Sequence, residues 1–227
     1  MQKRKIPNVN SPRPDLRQAS LYGILDTGYL PLDQFSTMTG KLIRGGAGIL
    51  QVRAKKETAS VRCSLVEAAL PQCIESNVLL IVNDDLEVAL RYPETGLHIG
   101  QDDLPAERAR EALGEGRIIG LSTHSEAQAA DAYAKYQSGL IDYFAVGPVF
   151  PTQTKPDYIP VTTNLVKWVI AQGFDAPYFF IGGVNRETLP QLIDIGAQRV
   201  VVVSDLLTAD DPEQAARDLL SELRPKE

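Results

Sequence analysis

Three groups of residues in this sequence have the types and spacing to handle phosphate esters. Gln51, Arg53 and Lys55 take alternate positions in GILQVRAK, so in an extended chain they face one way and Val52 and Ala54 the other. A guanidinium fork and an ammonium two residues apart suit phosphate oxygens, although the same pair would also serve as a plain solvated face. Thr152, Gln153, Thr154 and Lys155, in PVFPTQTK, add hydroxyl and amide donors and a second ammonium. The second group is anionic. Asp84 and Asp103 each follow a short apolar run, and two carboxylates near cationic phosphate ligands point to Mg2+, which takes one or two carboxylates plus substrate oxygens and water. The alternative is that Asp84 caps a following helix and Asp103 caps one opening at Leu104, with Pro105 at a favourable first position. Asp85 and Asp102 stand beside them, equally placed by spacing. The third group is Gly182–Gly183 with Val203–Ser204, which reads either as backbone amides for a second phosphate or as a tight turn. Two separate phosphate sites would mean two phosphorylated groups, which favours a transferase over a hydrolase.

The remaining reactive side chains are few. His98 falls inside an apolar run and reads as a core histidine satisfied by hydrogen bonds. His124 follows Ser122 and Thr123, either as an acid–base group or as a surface residue before a helix capped by Ser125. No Ser-His-Asp or Cys-His order is evident, and Cys63 and Cys73 fall in the middle of a helical pattern, so covalent catalysis is not expected.

These residues need elements to hold them. Eight short β-rich runs occur, at 21–25, 48–53, 78–82, 96–99, 117–121, 141–146, 178–181 and 199–203. Helically spaced segments at 32–44, 59–75, 106–113, 126–136, 164–171 and 187–195 separate them, and 212–223 follows the last. Strand then helix, repeated, implies right-handed crossovers and a parallel sheet, and runs as apolar as VVVV at 200–203 suit strands buried on both faces. Eight units in about 205 residues predict a single (β/α)8 barrel of the TIM type over 20–227, with a doubly wound open sheet as the alternative. Either architecture places the site at the carboxyl ends of the strands, which is where these residues fall. Residues 1–19, basic and with three prolines, read as a flexible arm.

Composition narrows the partners. The chain has 227 residues, of which 44% are hydrophobic, and 29 acidic against 23 basic side chains give a net charge of −6. That field disfavours nucleic acid or an anionic membrane as the main partner, and no run of about 18 apolar residues is present. Two cysteines make no disulfide framework. A cytoplasmic protein acting on small molecules, with homo-oligomerisation open, is expected.

Taken in order, LYGILD at 21–26, GILQVRAK at 48–55, IVND at 81–84, GLHIGQDDL at 96–104, IIGLSTHS at 118–125, VGPVFPTQTK at 146–155, IGGV at 181–184 and VVVS at 201–204 resemble the thiamine-phosphate synthase family. The resemblance implies a barrel that joins 4-amino-2-methyl-5-(diphosphooxymethyl)pyrimidine to a thiazole phosphate or its carboxylated form, releasing pyrophosphate in a dissociative step. It implies that the strand carrying Gln51, Val52, Arg53, Ala54 and Lys55 binds the pyrimidine diphosphate together with Asn83, Ser122 and Lys155. It assigns Mg2+ to Asp84 and Asp103, and the thiazole phosphate to Thr152, Gln153, Thr154, Gly183, Val203 and Ser204. Arg53, Lys55, Ser122 and Lys155 are then the expected catalytic set. The chain departs from the family pattern in having Ala54 where glutamate is frequent, in lacking a glycine after Lys155, and in the arm. Two further readings stand beside the synthase: a thiazole tautomerase paralogue using a histidine near His124, and a non-catalytic sensor of thiamine precursors. The retained Arg53, Lys55, Asp84, Asp103 and Lys155 weigh against both.

Overall fold

The computed structural model describes residues 15–152 and 160–223. Eight parallel strands close into one barrel in sequence order: β1 (Leu21–Asp26), β2 (Ile49–Arg53), β3 (Leu79–Asn83), β4 (Gly96–Ile99), β5 (Ile119–Thr123), β6 (Tyr143–Val146), β7 (Tyr178–Ile181) and β8 (Val200–Val202). Pairing of Leu21 in β1 with Val200 in β8 seals the sheet and removes the open-sheet alternative. The helices are α1 (Phe35–Arg44), α2 (Ala59–Glu75), α3 (Leu86–Arg91), α4 (Ala106–Leu113), α5 (Glu126–Gln137), α6 (Thr162–Ala171), α7 (Leu189–Asp194), α8 (Ser204–Leu207) and α9 (Pro212–Leu223). Of these, α3 and α8 were absent from the helical segments expected, because six and four residues are too few to display a 3.6-residue period. Among the described residues no helix is long and apolar enough to cross a membrane.

Strand alternation divides the core in two. Leu50, Val52, Leu80, Val82, Leu97, Phe144 and their like pack outward against the helices, while Tyr22, Ile24, Ile49, Ile81, Tyr143, Phe179 and Val201 fill the barrel interior. Within the stretch read as an arm, residues 1–14 lie outside the described residues, and 15–19 are anchored by two of their side chains. Leu16 and Ala19 are buried with the interior cluster, and Arg199 donates to the Arg17 carbonyl. These residues form a floor under the barrel, which an apolar count spread over a proline-rich stretch does not reveal.

The large interior side chains need space from their neighbours. Gly120 in β5 provides it for Tyr143: a Cβ at 120 would stand 2.1 Å from the tyrosine Cζ. Gly120→Ala is therefore expected to destabilise the protein by about 1–3 kcal/mol, as overpacked cores do, a loss readable as a lowered midpoint in urea unfolding.

Candidate active site

The carboxyl ends of the strands surround a cavity of about 380 Å³. Its walls are apolar, from Ile24, Ala145, Pro148, Ile181, Val184 and Val201, and its polar groups come from several strands, including Gln51, Arg53, Asn83, Ser122, His124 and Ser204. A second hollow of about 290 Å³ adjoins it and is lined by Lys55, Asn83, Asp84 and Asp103. Asn83 lines both.

On β2 the alternation holds. Gln51 and Arg53 face the cavity, whereas Val52 and Ala54 are buried in the outer cluster against the helices. Val52 borders neither hollow, whereas Ala54, where glutamate is frequent in the family, is buried and still borders the second hollow beside Lys55 and Asp84. The Arg53 guanidinium donates to Asp26 Oδ2 at 2.5 Å, and Asp26 is almost wholly buried at the end of β1 while also accepting from the Gly28 N–H at 2.8 Å. Asp26 escaped the sequence reading. Its place directly after the apolar run at 21–25 was one signal, and its partner follows from register, because Asp26 sits directly opposite Arg53 once β1 pairs with β2.

Lys55 lies outside the main cavity and forms an ion pair with Asp84. Asp84 holds a left-handed φ of 59°, uncommon for a residue other than glycine, and its Oδ2 also accepts from Asn83 Nδ2 at 2.7 Å. Asp103 accepts from the Gly100 N–H at 2.7 Å. Neither aspartate caps a helix. Asp85 does so for α3, accepting from the Val88 N–H at 3.0 Å and pairing with Arg62. The helix following Asp103, α4, starts at Ala106 without a side-chain cap. Partial burial and the neighbouring Asp84 carboxyl push the Asp103 carboxyl above the ordinary range, while the Gly100 N–H and Lys55 oppose that rise. Two converging carboxylates that crowd each other are a donor set suited to a hard divalent cation, which would relieve their repulsion. Among the described residues no three His, Cys, Asp or Glu side chains gather as a metal site, so a cation here would draw its other ligands from water or substrate.

His98 is buried, with Nδ1 3.0 Å from the Tyr143 hydroxyl and Nε2 2.9 Å from Ser122 Oγ. His124 lines the cavity, with Nδ1 against the Gly147 carbonyl. Across the mouth, Gly182 and Gly183 have φ of 98° and 64°, and a Cβ on Gly183 would stand 2.6 Å from the Pro151 carbonyl. The Gly-Gly turn thus allows residues 148–151 to pack over β7, where Val149 and Phe150 donate to the Ile181 and Gly182 carbonyls. Gly183, Val203, Ser204 and Thr152 all line the same cavity. Gln153, Thr154 and Lys155 lie outside the described residues.

The sequence matches the family model described as thiamine monophosphate synthase over residues 21–206. It is 39% identical over 215 residues to a thiamine-phosphate synthase of Mycobacterium sp. (strain KMS), covering 91% of this chain and 93% of that one. It is 36% identical over 214 residues to a thiamine-phosphate synthase of Chlorobium luteolum, covering 94% and 95%. Among solved structures, a thiamine phosphate pyrophosphorylase from Pyrococcus furiosus superposes with a TM-score of 0.80 at 24% identity, over 92% of this chain and 96% of that one, a likeness of fold.

Proposed function

The chain belongs to the thiamine monophosphate synthase family, and on that premise we propose how its residues carry the reaction. It is a transferase of thiamine biosynthesis with small-molecule substrates. The pyrimidine diphosphate and a thiazole phosphate meet at the mouth of the barrel, and thiamine phosphate and pyrophosphate leave it. The observation that carries this reading is the meeting of Asp84 and Asp103 beside Lys55, with Arg53 on the wall of the adjacent cavity, a charge pattern matched to a metal-bound diphosphate.

The C–O bond to the diphosphate breaks first, and pyrophosphate departs with the electron pair. The pyrimidine methylene cation left behind is stabilised by its own ring amino group, and the thiazole nitrogen then supplies the pair that forms the new C–N bond. No protein nucleophile is required. Arg53 and Lys55 donate to the diphosphate oxygens as negative charge grows on them, which is where pre-set donors contribute most. Asp26 holds the Arg53 fork in place and Asn83 holds Asp84. Asp84 and Asp103 would hold Mg2+, which when bound supplies charge neutralisation to the diphosphate. Lys155 is assigned to the same diphosphate from its place in the sequence motif. The thiazole phosphate goes to Thr152, Gly183, Val203 and Ser204, with Gln153 and Thr154 assigned by the motif. Apolar walls around Ile181 and Val201 keep water from the cation.

The experiment is to supply both substrates and Mg2+ to the purified protein and follow thiamine phosphate. Product should form, should fall by about 100-fold or more after chelation, and should return when Mg2+ is restored. A folded protein that binds both substrates with metal present and makes no product would overturn the reading.

A further inference from the structure

A buried file of polar groups crosses the barrel interior at the floor of the cavity, which Tyr22, Gln51, His98 and Ser122 line. Gln51 Nε2 lies 2.6 Å from the Tyr22 hydroxyl, which lies 3.1 Å from the Tyr143 hydroxyl. That hydroxyl lies 3.0 Å from His98 Nδ1, and His98 Nε2 lies 2.9 Å from Ser122 Oγ. Tyr22 and Tyr143 are fully buried and pack edge-on to Phe179. Both ends of the file, Gln51 and Ser122, line the substrate cavity, as do Tyr22 and His98.

The direction of the file follows from its first member. An amide NH2 only donates, so the Tyr22 oxygen accepts from Gln51 and passes its own proton to Tyr143. Tyr143 then donates to His98 Nδ1, which must be unprotonated, and the His98 proton sits on Nε2 and points at Ser122 Oγ. Two consequences reach the mouth. The Gln51 carbonyl oxygen is left as an acceptor, and the Ser122 hydroxyl proton is left as a donor. Burial raises both tyrosine pKa values, so neither phenol ionises at working pH.

We infer that Tyr22, Tyr143 and His98 are positioning residues that fix the donor and acceptor faces of Gln51 and Ser122 toward the pyrimidine substrate. This rests on the synthase reading. An amino group needs an acceptor, and ring nitrogens and diphosphate oxygens need a donor. The reversed file would present the opposite pair and suit an oxo-pyrimidine instead.

The sequence has only two histidines, which makes the direction measurable. In 15N spectra of histidine-labelled protein, His98 should carry its proton on Nε2. His124, whose Nδ1 faces a carbonyl that can only accept, should carry its proton on Nδ1. A His124→Asn protein assigns the signals. Tyr143→Phe should abolish the fixed His98 tautomer and raise KM for the pyrimidine diphosphate about tenfold, with KM for the thiazole phosphate within about twofold. Should Tyr143→Phe not fold, Tyr22→Phe interrupts the file from its other side with the same expected split. A wild-type His98 protonated on Nδ1, or a Tyr143→Phe enzyme with unchanged KM values, overturns the inference while leaving the synthase standing. Wild-type protein that neither turns over nor binds the pyrimidine diphosphate by calorimetry overturns the synthase reading and this role with it.

Discussion

Asp84→Asn is expected to lower turnover by about 10³-fold, or about 4 kcal/mol of transition-state stabilisation, while leaving the melting temperature within a few degrees of wild type. The two halves of that expectation come from different observations. The carboxylate faces Asp103 across the hollow beside Lys55, so removing its charge removes half of the proposed Mg2+ site and its hold on the diphosphate. Stability is spared for three reasons. Asparagine is among the few residues that tolerate the left-handed φ of 59° at this position. The partner ammonium of Lys55 is 48% exposed, so losing the ion pair costs at most about 1 kcal/mol. Loss of one of two crowded carboxylates also relieves Asp103, whose carboxyl should titrate closer to the ordinary range. Steady-state rates across a Mg2+ titration, beside thermal unfolding, check both parts. Wild-type turnover at saturating Mg2+ would remove Asp84 from the metal site, and a collapsed melting temperature would make its role structural.

The barrel and its strand order were legible because buried parallel strands must be short and apolar, and because turn residues and helical spacing separate them. Arg53, Lys55, Asp84 and Asp103 were legible for a related reason: chemistry in this architecture gathers at carboxyl ends, and the apolar runs alone locate those ends. Three features were not legible. Asp26 stands at the end of β1, but its ion pair with Arg53 shows only once the β1–β2 register is known. Tyr22 and Tyr143 counted as hydrophobic strand residues, and their rings do fill the core, but their hydroxyls meet only because a closed barrel brings β1 and β6 together across its interior. The floor formed by Leu16 and Ala19 depends on two buried side chains in a stretch whose composition argues against order. In each case the missing information is long-range pairing, which local pattern does not encode.

The same pairing makes the Arg53–Asp26 contact a place where scaffold and chemistry can be separated. Arg53→Met is expected to cost about 3–5 kcal/mol of stability, because it strands the Asp26 charge, whose side chain is only 4% exposed. It should also cost about 100-fold or more in turnover, because a donor aimed at developing phosphate charge is gone. The first loss is reversible by design. Asp26→Asn removes the stranded charge, and its amide oxygen can still accept from the Gly28 N–H, so the double variant Asp26→Asn/Arg53→Met should recover most of the lost stability in urea unfolding. Turnover should stay where the single variant left it. If Arg53 served only to neutralise Asp26, the double variant would regain rate along with stability. Arg53 would then leave the catalytic set, and charge on the leaving diphosphate would fall to Lys55 and Lys155. A rate that stays low on a restored fold means instead that Asp26 serves the arginine by fixing one edge of its guanidinium, so that the remaining N–H groups face the substrate.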